Sequence, residues 1–240
     1  MTLEVLQEKF QINKARQELI RMGISHVVTP DSRLRAFLRR FGLVKNIVVG
    51  DFLKSWDVLA TVSFLESHVN KNDPILDIGC YASEIIVALH KSGYANLAGV
   101  DLNPNLKKMP YHENIRYEIG NFMHAKFQDA SFQAITSISV IEHDFDGQSL
   151  LKEMSRLLKP GGYFIASFDY WPDKIDTTGT QFFGMDWKIF SKDEVSNFVK
   201  DAAGYGLTPV GEMSFSGKDK PIDCAGKQYT FGWIVLKKAV

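Results

Sequence analysis

The spacing of hydrophobic positions changes along the chain. In segment 31–42, Leu34, Phe37, Leu38 and Phe41 follow the i, i+3, i+4, i+7 rhythm of an amphipathic helix. Asp31 or Ser32 is placed to cap it and Gly42 to end it. A second helical pattern runs from Asp51 to Val69, where Phe52, Trp56, Leu59, Val62, Phe64 and Leu65 form a broad apolar face. The first 70 residues therefore read as a helical extension or lid. From residue 74 the rhythm shortens. Strand-type runs at Ile75–Ile78, Leu97–Val100, Ile115–Ile119, Ala134–Ser139 and Tyr163–Phe168 alternate with helical patterns at Glu84–Lys91 and Ser149–Leu158, and with a short irregular one near Asn105. Such alternation predicts crossover units and a mostly parallel sheet with helices on both faces, an α/β domain over residues 71–240.

Punctuation supports these limits. Lys159–Pro160–Gly161–Gly162 ends a helix and opens a strand, because Pro cannot continue a helix and Gly suits its left-handed cap. After the fifth strand the pattern lapses for roughly 20 residues, long enough for a functional loop. A helix at Lys192–Ala203 follows, with Ser191 and Glu194 spaced as a capping box. Val210–Phe215 and Gln228–Lys237 read as the last two strands. The Gly, Lys and Asp between them suit a hairpin, so the final strand should run antiparallel.

Charge and cysteine content narrow the function classes. The 240 residues balance 28 Lys+Arg against 28 Asp+Glu, which argues against a protein that holds nucleic acid by bulk electrostatics. Cys80 and Cys224 are far apart and in no metal spacing, so reduced thiols and a cytoplasmic setting are expected. No apolar run reaches the roughly 20 residues of a membrane span, and the N-terminus lacks the apolar centre of a signal peptide.

The chemistry concentrates in two strand ends, PILDIGCYASE and AGVDLNP. In an open parallel sheet, ligands sit beyond the carboxyl ends of the strands. Gly79 permits close backbone approach, and the turn amides before Glu84 suit a carboxylate or phosphate. Asp101, at the next strand end, can accept two hydrogen bonds from a ribose diol. A dinucleotide site calls for G-x-G-x-x-G, whereas this turn reads G-C-Y-A-S-E. A nucleoside ligand without a pyrophosphate fits better, and a nicotinamide oxidoreductase is the poorer alternative.

With SFQAITSISVIEHDFD and LLKPGGYF, these segments resemble the class I S-adenosylmethionine-dependent methyltransferases, in particular the type 11-like group. The resemblance implies a three-layer Rossmann-like fold, seven-stranded with an antiparallel last strand, and S-adenosylmethionine as cofactor. It places Asp77, Gly79 and Cys80 in the first motif, Asp101 on the ribose and Leu102 beside the adenine. Asn121, before Phe122, stands where an acidic side chain commonly receives the adenine amino group. Ile138 and Ser139, ahead of Val140, fall beneath the methionine portion. The family's usual D-x-G-x-G-x-G departs here, with Tyr81 and Ser83 at the second and third glycines. The loop then takes another path, with Ser83 or Glu84 contacting the cofactor, or binding is lost.

Methyl transfer to a hydroxyl benefits from a base, for which Glu142, His143 and Asp169 are the candidates. Glu142 and His143 equally suit a structural role at the next helix start. His143-Asp144-x-Asp146 also has hard metal ligands, although a solvated turn is the plainer explanation, and no metal is expected. Tyr170, Trp171, Phe182, Phe183 and Trp187 in the late loop, mixed with Asp173, Lys174, Asp176 and Asp186, either wall a substrate cleft or fill core. Lys54, Ser55 and Trp56 either close over the cofactor or pack. Arg33, Arg35, Arg39 and Arg40 grip a phosphate or RNA backbone, or form a solvated face. The expected activity is methylation of a small molecule or a sugar or glycan precursor at oxygen. The alternatives are a non-catalytic nucleoside-binding module and, further off, an RNA methyltransferase.

Overall fold

The computed structural model describes residues 3–27, 47–143, 146–182 and 184–240. The predicted amphipathic helix at 31–42, with its four arginines, lies outside the described residues. Strands β1 (Leu3–Val5), β2 (Ile75–Ile78), β3 (Leu97–Asp101), β4 (Ile115–Ile119), β5 (Phe132–Ile138), β6 (Leu158–Tyr170), β9 (Leu207–Pro209), β10 (Ile222–Cys224) and β11 (Lys227–Lys238) form one sheet. Its order is β1-β11-β6-β5-β2-β3-β4, with β9 and β10 also pairing to β11. A separate ribbon joins β7 (Gln181–Phe182) and β8 (Met185–Asp186).

Pairs from β4 through β6 are parallel, and β11 runs antiparallel to β6. The chain winds outward from β2 through β3 to β4, then returns to the other side of β2 as β5. The strand order therefore reverses between β2 and β5, where a ligand crevice belongs. All four residues of β2 are buried, as expected for a strand covered on both faces. One face carries α4 (Gly147–Leu157) and α5 (Lys192–Gly204), which bury Leu150, Leu151, Met154 and Phe198 against Leu76, Ile135 and Phe164. The other face carries α2 (Ser55–His68) and α3 (Glu84–Lys91), which set Val58, Val62 and Ile85 against Ile75, Ala134 and Ile165. At the start of α5, the predicted box is formed: the Ser191 amide donates to Glu194 Oε2 at 2.8 Å and the Glu194 amide to Ser191 Oγ at 3.3 Å.

Two sequence expectations change. Val210–Phe215 is not the penultimate strand. The strand in that region is β9, Leu207–Pro209, paired with Lys238–Leu236, and the penultimate strand is β10; β1 takes the adjoining edge of β11 at Gly232–Ile234. With that edge occupied, Met213 and Ser214 instead meet Leu3, whose carbonyl accepts from the Ser214 amide at 3.1 Å. The hairpin into β11 starts later, at β10. Its two-residue turn is Ala225–Gly226, both at positive φ (49° and 72°), the twist a tight hairpin demands. On α2, the apolar stripe was only part of the buried surface: Ser55, Asp57 and Thr61 are buried, while Trp56, Leu59 and Phe64 are half-buried.

The N-terminal residues join the domain through one buried arginine. Helix α1 (Lys9–Arg21) carries Arg16, whose Nη1 and Nη2 donate to Glu84 Oε1 and Oε2 at 2.7 and 2.8 Å. Its Nε donates to Ser55 Oγ at 2.9 Å and its Nη1 to Ser25 Oγ at 2.8 Å. The amides of His26 and Val27 also donate to Glu84 Oε1. Gly50 brings the next segment against the same place, its amide donating to Ala82 O at 2.7 Å. A Cβ on Gly50 would stand 2.6 Å from Val27 Cγ2. Arg16→Met should therefore cost about 3–5 kcal/mol of unfolding free energy by stranding a buried carboxylate. Adding Glu84→Gln should recover much of that. Urea denaturation of both variants checks this, and an equal loss in the two would place the cost in lost packing.

Candidate active site

The crevice expected at the strand-order reversal lies at the carboxyl ends of β2, β3 and β5. Beyond β2, the chain turns at Gly79 with φ +65°, and the Gly79 amide donates to Val100 O at 2.9 Å. A Cβ there would stand 2.5 Å from Val140 Cγ2, so glycine lets the β2 and β5 ends approach. Tyr81 lies outside the left-handed region and Ser83 has φ −70°. The second left-handed residue is Ala82, at φ +61°. The loop thus dispenses with two glycines by moving the turn one residue. The Tyr81 amide donates to Asp101 Oδ2 at 2.9 Å, and the Asn103 amide to Asp101 Oδ1 at 2.8 Å. Asp101 is half-buried, and with one amide on each oxygen its carboxylate can still accept further hydrogen bonds.

The remaining cofactor candidates surround this point unevenly. Asp77 lies under the loop, fully buried, with Oδ1 accepting from Thr136 Oγ1 at 2.7 Å. Burial pushes its carboxyl up to about 7, partly offset by Thr136 and Ser83. Cys80 is buried with its sulfur against Gly99, and burial pushes its thiol up. Leu102 is 62% exposed beside Asp101, leaving an apolar shelf. Asn121 Oδ1 accepts from the Met123 amide at 2.9 Å, and Phe122 packs on the core. Ser139, just past Ile138, holds φ +54° while its amide donates to Ser167 O at 3.1 Å. Backbone strain of this kind collects at functional sites. Glu84 does not face the cofactor loop as a free group, because Arg16 occupies both its oxygens.

Beside the crevice lies a buried polar cluster. Segment 187–190 ties the ends of β5 and β6 together: the Lys188 amide donates to Glu142 O at 2.8 Å and the Phe190 amide to Asp169 O at 2.9 Å. Trp187 Nε1 donates to Asp169 Oδ2 at 2.7 Å. Glu142 is 2% exposed, and its Oε2 meets no hydrogen-bond partner among the described residues. Burial, then the Asp169 charge, pushes Glu142 up to about 8; burial pushes Asp169 up to about 6, with Lys54 opposing both. His143 pairs across with Trp187, its ring 6.3 Å from Phe182, and burial lowers its pKa. The three acid–base candidates are therefore neighbours. Tyr170 and Trp187 are buried and Trp171 and Phe182 half-buried, so much of the loop's aromatic surface is core; Phe183 lies outside the described residues. Asp146 is spent capping α4, accepting from the Gln148 amide at 3.0 Å, and Asp144 lies outside the described residues. Among the described residues, no three His, Cys, Asp or Glu side chains are grouped to hold a metal, and no helix is long and apolar enough to cross a membrane.

Sequence reasoning missed Arg16 and Asp57. Both are buried polar residues on helices, and their only sequence signal is a charge within an otherwise apolar helical stripe.

Comparison with known proteins bears on the family and the fold. Residues 76–166 match the methyltransferase domain model that covers the type 11 group. Over that span the chain carries a methyltransferase domain. It is 29% identical over 149 residues to a sterol 24-C-methyltransferase of Aspergillus fumigatus, covering 59% of this chain and 39% of that one. It is 30% identical over 107 residues to a demethylmenaquinone methyltransferase of Staphylococcus haemolyticus, covering 42% and 45%. The match thus spans less than half the length of these two curated relatives. In fold, it resembles the geranyl diphosphate C-methyltransferase of Streptomyces coelicolor, solved with Mg2+, geranyl diphosphate and S-adenosylhomocysteine. The TM-score is 0.59 at 18% identity over 82% of this chain and 90% of that one.

The buried acids of this methyltransferase domain make its stability depend on pH. An acid whose folded pKa exceeds its unfolded value binds more protons in the native state across the interval between them. Stability then falls as pH rises through that interval. That interval ends at about pH 7 for Asp77 and at about pH 8 for Glu142. His143, with a lowered pKa, acts in the opposite sense only below its unfolded value. Unfolding free energies from urea titrations should fall from pH 6.5 to 8, by at most about 1.4 kcal/mol per pH unit for one group, and level off above pH 8. Glu142→Gln should flatten the slope, and an unchanged slope would remove Glu142 as its source.

Proposed function

We propose that the chain transfers a methyl group from S-adenosylmethionine to a small neutral acceptor, at an oxygen that loses its proton to the Glu142–Asp169 end of the crevice. The observation that carries this is the meeting of Gly79, the Tyr81 amide and Asp101 at the strand-order reversal, inside the span matched by the methyltransferase model. When bound, the cofactor supplies an electrophilic methyl on a positively charged sulfur.

The chain's own residues would then divide the work. Asp101 receives the ribose hydroxyls on its two remaining lone pairs. Gly79, Cys80, Tyr81 and Ser83 shape the loop around the amino-acid end, over Asp77. Leu102 gives the adenine an apolar shelf, and Asn121 keeps a second lone pair for its amino group beside Phe122. Ile138 and Ser139 floor the methionine portion. The protein aligns the acceptor behind the methyl group and excludes water. Glu142 or Asp169 takes the acceptor proton, with His143 alongside. Their raised pKa values bring a carboxyl base close to neutral pH, where such a group is effective.

The acceptor's character follows from its surroundings. The Lys54 ammonium beside the acids disfavours a cationic amine, so a hydroxyl acceptor is preferred over an amine. Phe182 and Trp187 favour a flat, apolar acceptor ahead of a sugar precursor, since Trp187 lies in the core and leaves little face for a sugar ring.

Calorimetry tests the reading. S-Adenosylmethionine and its demethylated product should both bind wild-type protein, and Asp101→Ala should weaken both at least about tenfold, the value of a charge-assisted hydrogen bond. No heat with either compound would favour a binding module for another ligand. In a methyl-transfer screen across phenols, enols and sugar nucleotides, Glu142→Gln and His143→Ala should each lower turnover without changing cofactor affinity. Unchanged turnover in either variant would remove that residue from the chemistry.

A further inference from the structure

Helix α2 lays a polar line onto the sheet. Lys54, the residue that precedes the helix, and Asp57 and Thr61 within it stand at i, i+3 and i+7, along one face. Each finds a partner on β6 or β11. Lys54 Nζ lies 2.6 Å from Asp57 Oδ2 and 3.4 Å above the Phe231 ring. Ser167 Oγ donates to Asp57 Oδ2 at 2.7 Å, and Trp233 Nε1 donates to Thr61 Oγ1 at 2.9 Å. In the β6–β11 register, Phe231 is opposite Asp169 and Trp233 is opposite Ser167. Residues directly opposite across a strand pair share a face. Ser167, Asp169, Phe231 and Trp233 therefore form one patch under α2. Lys54, fixed over Phe231 and tied to the neighbour of Ser167, is held beside Asp169, which segment 187–190 joins to Glu142.

We propose that Lys54, anchored by Asp57, is the positioning residue of the acceptor-side acids, holding a fixed positive charge against the Glu142–Asp169 pair. The assignment takes its purpose from the methyl-transfer reading and its geometry from α2. A buried ammonium near two carboxyls keeps one of them ionised and able to take a proton, which two buried acids without a cation would resist. The other groups facing the pair are Asp57, whose charge opposes that of Lys54 at Asp169, and His143, Trp187, Tyr229 from β11 and Cys224 from β10. None of these carries a fixed positive charge. Lys54 also follows Gly50, whose amide meets the cofactor loop at Ala82, so one short segment reaches both halves of the crevice.

Carboxyl carbon NMR on the full chain, without cofactor, tests this. Glu142→Gln and Asp169→Asn assign the two signals. Lys54→Met/Asp57→Asn removes both charges and leaves no stranded acid. It should raise the titration of the Glu142–Asp169 pair by about one pH unit or more, while Lys54→Arg should restore it. An unchanged titration in a double variant that keeps its Trp187 indole resonance would overturn the proposal. In wild type, the Lys54 Nζ shift should show the same inflection as the two carboxyls, and a flat trace would overturn it even if the double variant fails to fold. Because no cofactor is present, failure here leaves the methyl-transfer reading standing, and failure to bind S-adenosylmethionine leaves this result readable.

Discussion

The pair between Arg16 and Glu84 is the constraint on which the crevice's shape depends. Both side chains are almost wholly buried, and neither ion is tolerable there without the other. Glu84 opens α3 directly after the cofactor loop, so whatever fixes Glu84 fixes the loop's exit. Arg16 does this with five side-chain hydrogen bonds to groups from four places: Ser25, Asp51, Ser55 and Glu84. A lysine could not make the bidentate contact, because the planar fork matches the carboxylate geometry. The N-terminal residues are therefore part of the wall. β1 completes the sheet edge at one end of this segment, and Gly50 closes on the loop at the other.

This arrangement accounts for the glycine-poor loop. A non-glycine residue at positive φ costs about 1–3 kcal/mol and persists only when its surroundings over-determine it. Ala82 is held from both sides: its carbonyl accepts from the Gly50 amide and its amide donates to Met109 Sδ at 3.3 Å. The glycine that permits the close approach lies in the segment crossing the loop. Conformational freedom lost at positions 81 and 83 is thus replaced by support from outside the motif.

How much of this was legible in sequence follows from range. Periodicity located β2 to β6, α3 and α5 because burial on one or both faces leaves a local pattern. Gly79 and Asp101 were legible because strand ends in an open sheet have a known relation to ligands. The Val210–Phe215 run was misread because its apolar residues alone could not reveal that β1, some 200 residues earlier, had taken the edge. Ala225 at positive φ hid the β10 hairpin, since a tight turn is normally announced by Asn or Gly there. Arg16 and Asp57 were illegible for the same reason as the edge: their partners lie 68 and 110 residues away.

The two halves of the crevice follow different physical rules, and that difference explains their different visibility. On the cofactor side, backbone amides do the work, and any residue offers an amide provided the turn is right. Tyr81 can therefore replace a glycine while its amide still meets Asp101. On the acceptor side, side chains do the work, and their charges are buried where mutual repulsion and desolvation are large. Such a cluster must be neutralised from within the fold, and helix α2 is the element in position to do it. The cofactor half is thus tolerant of sequence change around a fixed main-chain path. The acceptor half tolerates little, because removing any one charged member leaves another without its counterpart.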